Sequence, residues 1–154
     1  MSRTPLCFGK YIGNTLPQVI LHDPDWFFWT IEDNVIKRHQ PEILLEAKCL
    51  ARKARRINPR LKDGYVLEYL IHPGDKKLCD VRPVRATDPL HQGSSPATRL
   101  KVLDLRFAHR KNRFDKEGSR ILLRMLRMIH FGESQQLTKR RCEEFFENEA
   151  NFAL

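Results

Sequence analysis

Two segments of the chain carry more than the whole of its excess positive charge. Residues 35–62 and 99–127 each have a net charge of +7, whereas the other residues together sum to −5. In each segment apolar residues recur at spacings of three and four, which is typical of an amphipathic α-helix with one buried face. Because charged side chains are rarely buried without partners, the cations must lie on the opposite face. The chain is therefore expected to fold around two helices that each expose a basic stripe.

The first basic helix is predicted from Pro41 to Ile57. Proline suits the first helical position, and the Asn58-Pro59 pair ends the helix because a residue before proline avoids the α region. The predicted buried face contains Ile43, Leu44, Ala47, Leu50, Ala51, Ala54 and Ile57. The predicted basic face contains Lys48, Arg52, Arg55 and Arg56.

The second basic helix is predicted from Lys116 to His130, with Asp115 as its N-cap and Gly132 as its C-terminal stop. Its apolar face would contain Ile121, Leu122, Met125, Met128 and Ile129, and its basic face Lys116, Arg120, Arg124 and Arg127. A cationic loop with His109, Arg110, Lys111 and Arg113 precedes it.

Three strands are predicted between these helices, at Tyr65–His72, Leu78–Arg85 and Leu100–Ala108. Pro83 cannot donate a ladder hydrogen bond, which places the second strand at an edge of the sheet. Thr87–Thr98 is rich in Pro, Gly and Ser and is predicted to be a long, mobile loop. Together with a final helix over Thr138–Asn151, this predicts an α+β fold: a small antiparallel sheet of about three strands packed with two basic helices.

Composition excludes several classes of protein. A hydrophobic fraction of 41 % is too high for an intrinsically disordered chain. No apolar run approaches the ~20 residues of a membrane span, and the N-terminus lacks the features of a secretory signal, so a cytoplasmic protein without a membrane partner is expected. The four cysteines form no C-x-x-C pair, which favours free thiols over a zinc site, and no cofactor is implied.

Residues 7–33, CFGKYIGNTLPQVILHDPDWFFWTIED, form a distinct N-terminal signature. Gly9 and Gly13 suit a tight two-stranded ribbon, because glycine adopts positive φ without strain. Thr15 and Asp23 are predicted to cap two short helices. The aromatic block at residues 26–29 must be covered, and we expect it to pack on Phe8, Tyr11 and Val19.

This signature resembles the C-terminal module of exodeoxyribonuclease X-like proteins, which also occurs in short quorum-sensing-regulated virulence factors. The matching residues are Phe8-Gly9-Lys10-Tyr11, Gly13, Thr15, Asp23-Pro24 and Trp29. The resemblance implies a module over residues 1–34. The charge and periodicity of the remaining residues, 35–154, predict a basic α+β domain with an acidic, aromatic C-terminal helix. Because the module accompanies DNA-processing proteins, it implies an accessory nucleic-acid role in a bacterial or mobile-element protein. The catalytic exonuclease motifs of the family have no counterpart here.

The basic helices favour a non-catalytic nucleic-acid-binding protein, with DNA favoured over RNA. Lysine and arginine bind phosphates, and arginine can grip a phosphate or a guanine edge in two places. The predicted binding residues are Lys10, Lys48, Arg52, Arg55, Arg56, Arg110, Lys111, Arg113, Arg120, Arg124 and Arg127. Tyr11 could add a stacking ring, although a core position is the commoner role of such an aromatic residue.

Two alternatives stay open from the sequence. The same basic faces would suit a small regulatory or inhibitory protein that binds an acidic protein partner, since arginine also favours protein interfaces. A metal-dependent nuclease would need strand carboxylates, for which Glu68, Asp80 and Asp104 are candidates near Lys101 and His109. Arginines two residues after Asp80 and Asp104 make ordinary ion pairing the simpler explanation of those carboxylates.

Overall fold

The computed structural model describes residues 3–132 and 136–154. Within these residues four helices precede a three-stranded sheet, and three helices follow it, which confirms the predicted α+β class. The helices are α1 (Leu16–His22), α2 (Pro24–Glu32), α3 (Val35–His39), α4 (Leu44–Ala54), α5 (Phe107–Lys111), α6 (Lys116–Leu126) and α7 (Lys139–Glu147). The strands are β1 (Tyr65–Ile71), β2 (Leu78–Arg85) and β3 (Ala97–Leu100). Short 3₁₀ turns occupy Pro41–Ile43 and Glu149–Asn151, and a π-helical turn occupies Arg127–Phe131.

The sheet is antiparallel, in the order β2-β1-β3. β1 lies at the centre and is buried from Leu67 to Ile71, as its aromatic and branched composition predicts. β2 lies at an edge, which confirms the position predicted from Pro83. Glu68 on β1 stands opposite Arg82 on β2 and Arg99 on β3.

The predicted third strand, Leu100–Ala108, is wrong except for its first residue. The strand that pairs with β1 ends at Leu100, and its residues Ala97 and Thr98 fall in the predicted loop. Leu103 and Leu105 are buried, as the alternation requires, but they join the end of α4. Backbone bonds link Ile57 to Leu103 in both directions, and the Leu105 N–H donates to Ala54. The alternation of apolar residues in this segment therefore results from burial against the end of α4, and not from pairing in the sheet.

The N-terminal segment confirms both predicted helix starts. Thr15 forms a capping box with Gln18, and Asp23 Oδ1 accepts a hydrogen bond from the Trp26 N–H at 3.2 Å. The predicted ribbon is a closed turn instead of a pair of strands, in which the Leu6 N–H donates to Asn14 and the Gly13 N–H donates to Leu6. Phe8 stacks on Trp26 and Tyr11 meets the same ring edge-on.

The two basic helices are shorter than predicted and pack on different partners. α4 packs against α1 and α2, with Ala47, Leu50 and Ala54 buried. α6 packs against β2, and Asp115 connects the two elements. Its Oδ1 caps α6 through the Gly118 N–H, and its Oδ2 accepts from the Leu78 N–H, both at 2.9 Å.

The C-terminal segment is attached to the end of α4. The Asn58 N–H donates to Asn151, the Ala153 N–H donates to Arg56, and Ile57 bridges to Phe152. Lys53 adds a bond to the Phe146 carbonyl and an ion pair with Glu149 at 2.7 Å. At the other end of the described chain Arg3 forms an ion pair with Glu46 of α4 at 2.7 Å, so segments at both ends reach this helix.

Buried residues from both sides of the predicted boundary at residue 34 belong to the same hydrophobic core. The division into two domains itself stays a prediction. The four cysteines are free thiols, and burial raises the pKa of Cys142 to about 11. In the described ranges no helix combines the length and apolarity that a bilayer crossing requires.

Candidate anion-binding groove

A groove of about 680 Å³ lies where α2, α4, α5 and the segment after β3 meet. We call it the anion groove. Its apolar lining residues are Phe28, Ile31, Ala51, Leu100 and Val102, its carboxylates are Glu32 and Asp104, and its cations are Lys48, Arg52, Arg55, Arg56, Lys101, Arg106 and Arg110. The lining is therefore strongly cationic around a partly apolar floor.

α4 supplies the main basic wall. Lys48, Arg52 and Arg55 follow one another at spacings of four and three, so they lie on one face, while the buried alanines and Leu50 hold the opposite face to the core. Within residues 3–132 and 136–154 these three cations have no carboxylate oxygen within 4.0 Å. Arg56 is oriented by a bond from its Nε to the Ala153 carbonyl at 2.5 Å. The α4 cations that the sequence predicts thus meet in this groove.

Asp104 lies in the floor of the anion groove and is only 5 % exposed. Its Oδ1 accepts from the Arg106 N–H at 2.9 Å, and its own N–H donates to the Tyr69 hydroxyl at 3.1 Å. Burial raises the pKa of Asp104, although the Arg106 backbone bond and the nearby Arg55, Arg110 and Arg106 charges oppose that shift. The groove therefore holds one buried carboxylate among its cations.

Glu32 forms the second acidic contact of the groove. Arg106 donates to Glu32 Oε1 from Nε at 3.0 Å and from its terminal nitrogen, and His109 Nε2 lies 2.6 Å from Oε2. Partial burial favours the neutral acid, but the bonds from His109 and Arg106 outweigh it and lower the pKa of Glu32. One groove cation, Arg106, is thereby committed to a carboxylate.

Behind Glu32, His109 connects α5 to α2 in the protein interior. Its Nδ1 lies 3.6 Å from Asp25 Oδ1, and Asp25 is 1 % exposed. Neither oxygen of Asp25 has a hydrogen-bond partner in the described part of the chain. Burial disfavours a charged imidazole, but the contacts with Asp25 and Glu32 outweigh it and raise the pKa of His109. The sequence predicts His109 only as a member of a cationic loop, because its partners lie more than 70 residues away.

The other cations of that loop divide between the groove and local contacts. Arg110 lines the groove, and its guanidinium lies over the Phe107 ring. Lys111 also lies over Phe107, with its Nζ 5.6 Å from the ring centre. Arg113 forms an ion pair with Asp33 and lies over Phe114. Of the three predicted residues, one reaches the anion groove.

The basic face of α6 lines a second depression, of about 520 Å³, which shares no residue with the anion groove. We call it the α6 groove. Arg120, Arg124 and Arg127 line it beside apolar side chains from α1, α6 and the segments after α6: Leu21, Leu123, Met128 and Leu137. Arg120 is also paired with Glu117. The two basic faces therefore serve two separate surfaces.

Lys10 belongs to neither groove. It forms an ion pair with Asp23 at 3.2 Å, lies over the Tyr11 ring and lines a smaller depression together with Lys116 and Arg120. The Tyr11 hydroxyl donates to Asp23 Oδ2 at 2.6 Å and its ring packs on Trp26, so this tyrosine is held as a structural contact of the N-terminal turn.

The structure does not bring the three candidate metal-binding carboxylates together. Arg82 and Arg99 each donate to a different oxygen of buried Glu68, at 3.1 and 3.0 Å. Asp104 contacts Tyr69, whose side chain points to the opposite face of β1 from Glu68. Asp80 is exposed and bonds to the Val81 N–H. Nowhere in the ranges that the structure describes do three His, Cys, Asp or Glu residues form a possible metal site.

Four charged groove residues are missing from the sequence-based prediction of the binding surface. Lys101, Asp104 and Arg106 fall in the wrongly predicted strand, and Glu32 ends a helix assigned to the N-terminal module. The positive charge of residues 99–127 is a signal for Lys101 and Arg106, but it does not indicate which surface they join.

Comparison with protein-family models, curated proteins and solved structures gives no match for this chain. The resemblance of residues 7–33 to the exodeoxyribonuclease X-like module stays a prediction.

Proposed function

We propose that the protein binds nucleic acid, without catalysis, by holding backbone phosphates in the anion groove. The observation that supports this most directly is the α4 wall. Three of its cations, Lys48, Arg52 and Arg55, have no carboxylate within 4.0 Å in the described residues, although they lie side by side. Neighbouring cations that have no carboxylate at ion-pair distance repel one another, and an anionic ligand relieves that repulsion.

The spacing of these cations suits a chain of phosphates. Lys48 and Arg55 are seven residues apart on a helix, which separates them by ~10 Å along its axis. A wall of this length can face more than one phosphate of an extended strand, as a groove that tracks a nucleic-acid backbone requires. Arg110 and Lys101 line the same groove and extend the positive surface beyond α4.

The groove form favours a single strand over a duplex. Single strands bind in positively charged grooves, where their bases can lie on apolar side chains or on guanidinium planes. Ile31, Leu100 and Val102 supply apolar lining between the cations. A volume of about 680 Å³ lies in the range of sites that enclose one small ligand or a few units of a chain.

The test is a charge reversal of the α4 wall. We expect fluorescently labelled single-stranded oligonucleotides to bind the protein at ~50 mM salt, and the Arg52→Glu/Arg55→Glu variant to bind at least tenfold more weakly, as measured by anisotropy. The matched control is Lys37→Glu/Lys62→Glu, which makes the same change in net charge at exposed positions outside the groove. Equal losses in both variants would mean that net charge alone is responsible, and no binding by the unmodified protein would refute the proposal.

A second candidate function is supported by the α6 groove. Met128 is 53 % exposed there beside Arg120 and Arg124, so an apolar surface lies next to cations. An amphipathic segment of an acidic protein offers the complementary combination of apolar and negatively charged side chains. This would be a regulatory contact on a surface separate from the anion groove.

A further inference from the structure

We propose that the anion groove prefers RNA to DNA, with Asp104 Oδ2 accepting a hydrogen bond from a ribose 2′-hydroxyl while the α4 wall holds the neighbouring phosphates. The inference rests on the proposed function of the groove. It adds a selectivity that the cations alone do not provide, because they bind the phosphates of both polymers, and it departs from the preference for DNA that the sequence favours.

The first step is the state of the Asp104 carboxylate. Its Oδ1 is occupied by the Arg106 N–H, whereas Oδ2 accepts no hydrogen bond from any residue in the described ranges. The residue is only 5 % exposed and yet lines the groove, and Oδ2 is not among the buried side-chain atoms that lack a partner, so this oxygen is open to the groove. A carboxylate oxygen that is open to a groove and accepts no bond from the protein can accept one from a ligand.

The second step is the chemistry of the donor. The DNA backbone presents only acceptors along its phosphates and sugars, and these would face the carboxylate unfavourably. The ribose 2′-hydroxyl is both a donor and an acceptor, and it lies next to each phosphate of RNA. Carboxylates are known to bind ribose hydroxyls in dinucleotide sites, where an acidic residue stands near the phosphate-binding backbone.

The third step is discrimination. A site built to bond a hydroxyl rejects the analogue that lacks it, because the buried group of the protein is then left unpaired. With a deoxyribose in the groove, Asp104 Oδ2 would accept no hydrogen bond from the ligand. The carboxylate charge would then lie near the phosphates with no ligand contact to offset their repulsion. The positive charges of Arg55, Arg110 and Arg106 oppose the effect of burial on Asp104, and they line the same groove, so they offset part of the repulsion between this carboxylate and a neighbouring phosphate.

The experiment compares oligomers of ten uridines and ten deoxyuridines, which have the same base and differ only at the 2′ position. We expect the uridine oligomer to bind the unmodified protein at least tenfold more tightly. Asp104→Asn keeps the side-chain size and an acceptor for the Arg106 N–H but removes the charge, and we expect it to reduce the ratio to less than about threefold. Asp63→Asn, an exposed carboxylate outside the groove, should leave the ratio unchanged.

A 2′-O-methyl uridine oligomer provides a second test on the unmodified protein, because it removes the donor without altering the chain. Its affinity should be similar to that of the deoxyuridine oligomer. Equal binding of the uridine and deoxyuridine oligomers, or a ratio that persists in Asp104→Asn, would overturn the inference and leave the proposed function intact. Failure of both oligomers to bind would instead overturn the proposed function.

Discussion

At the scale of single residues, Gly9 and Gly13 show two different reasons for a glycine in one turn. Both have positive φ, of 75° and 89°. A Cβ at Gly9 would lie 2.8 Å from Trp26 Cζ2, whereas a Cβ at Gly13 would meet no atom within 4 Å. Gly13 is thus required by backbone conformation alone, and Gly9 also by the close approach of the Trp26 ring.

This difference predicts unequal costs for the same substitution. Gly13→Ala should lower the free energy of unfolding by about 1–2 kcal/mol, because an L-residue is strained at positive φ. Gly9→Ala should cost about 1–3 kcal/mol more, since the added methyl group overlaps Trp26, which Phe8 and Tyr11 hold in place. Chemical denaturation measures the free energy of unfolding of both variants. Equal losses of stability would show that the Trp26 ring moves away from the added methyl group without a loss of free energy.

At the scale of elements, α2 and α5 are joined by the interior contacts of His109 with Asp25 and Glu32. Both contacts favour the charged imidazole, and they raise the pKa of His109 despite its burial. A group whose pKa is higher in the folded state contributes stability below its unfolded pKa, and that contribution is lost as the pH rises through the folded value. The α2–α5 connection should therefore weaken as the pH rises through the raised pKa of His109.

We accordingly expect the free energy of unfolding to fall as the pH is raised from about 6 through the raised pKa of His109. His109→Gln should remove this dependence and destabilise the protein by about 3–5 kcal/mol, because Asp25 then lacks its counter-charge. Adding Asp25→Asn should restore part of that loss. Denaturant titrations at several pH values test this, with the exposed His72→Gln as a control that keeps the original dependence.

The same elements show how far the sequence could predict the structure. The starts of α1 and α2 depend on local capping by Thr15 and Asp23, and local patterns predicted them correctly. The segment after β3 depends on bonds between Leu103 and Ile57, which are 46 residues apart, and local alternation was misread as a strand. The anion groove is likewise assembled from distant segments, so the sequence predicted its α4 cations and not the Glu32 and Arg106 contacts.

At the scale of the whole molecule, the positive charge behind the net value of +9 lies partly in the anion groove and partly in the α6 groove. These two grooves have no lining residue in common. The sequence left open whether the two basic helices form one continuous patch. α4 lines the anion groove and α6 lines the α6 groove, so their contributions to binding are separable.

Single charge reversals should separate the two surfaces. Arg52→Glu should weaken oligonucleotide binding at least tenfold and make the salt dependence less steep by about one released counterion or more. Arg124→Glu carries the same change in net charge and should alter oligonucleotide affinity by less than about threefold. Equal losses of oligonucleotide affinity in Arg52→Glu and Arg124→Glu would contradict the separation of the two surfaces. Loss of binding to an acidic amphipathic peptide in Arg124→Glu would support the second candidate function.

The attachment of residues 151–153 to residues 56–58 has a consequence for the order in which the protein becomes active during synthesis. Arg56 is oriented by Ala153, and Ile57 bridges to Leu103 on one side and Phe152 on the other. A ribosome releases α4 long before it releases these partners. A nascent chain that ends before residue 151 therefore lacks the contacts that orient Arg56 and fix the end of α4, although α1 and α2 already pack on the helix itself. The last turn of the basic wall should accordingly reach its final arrangement only after residues 151–153 have been synthesised.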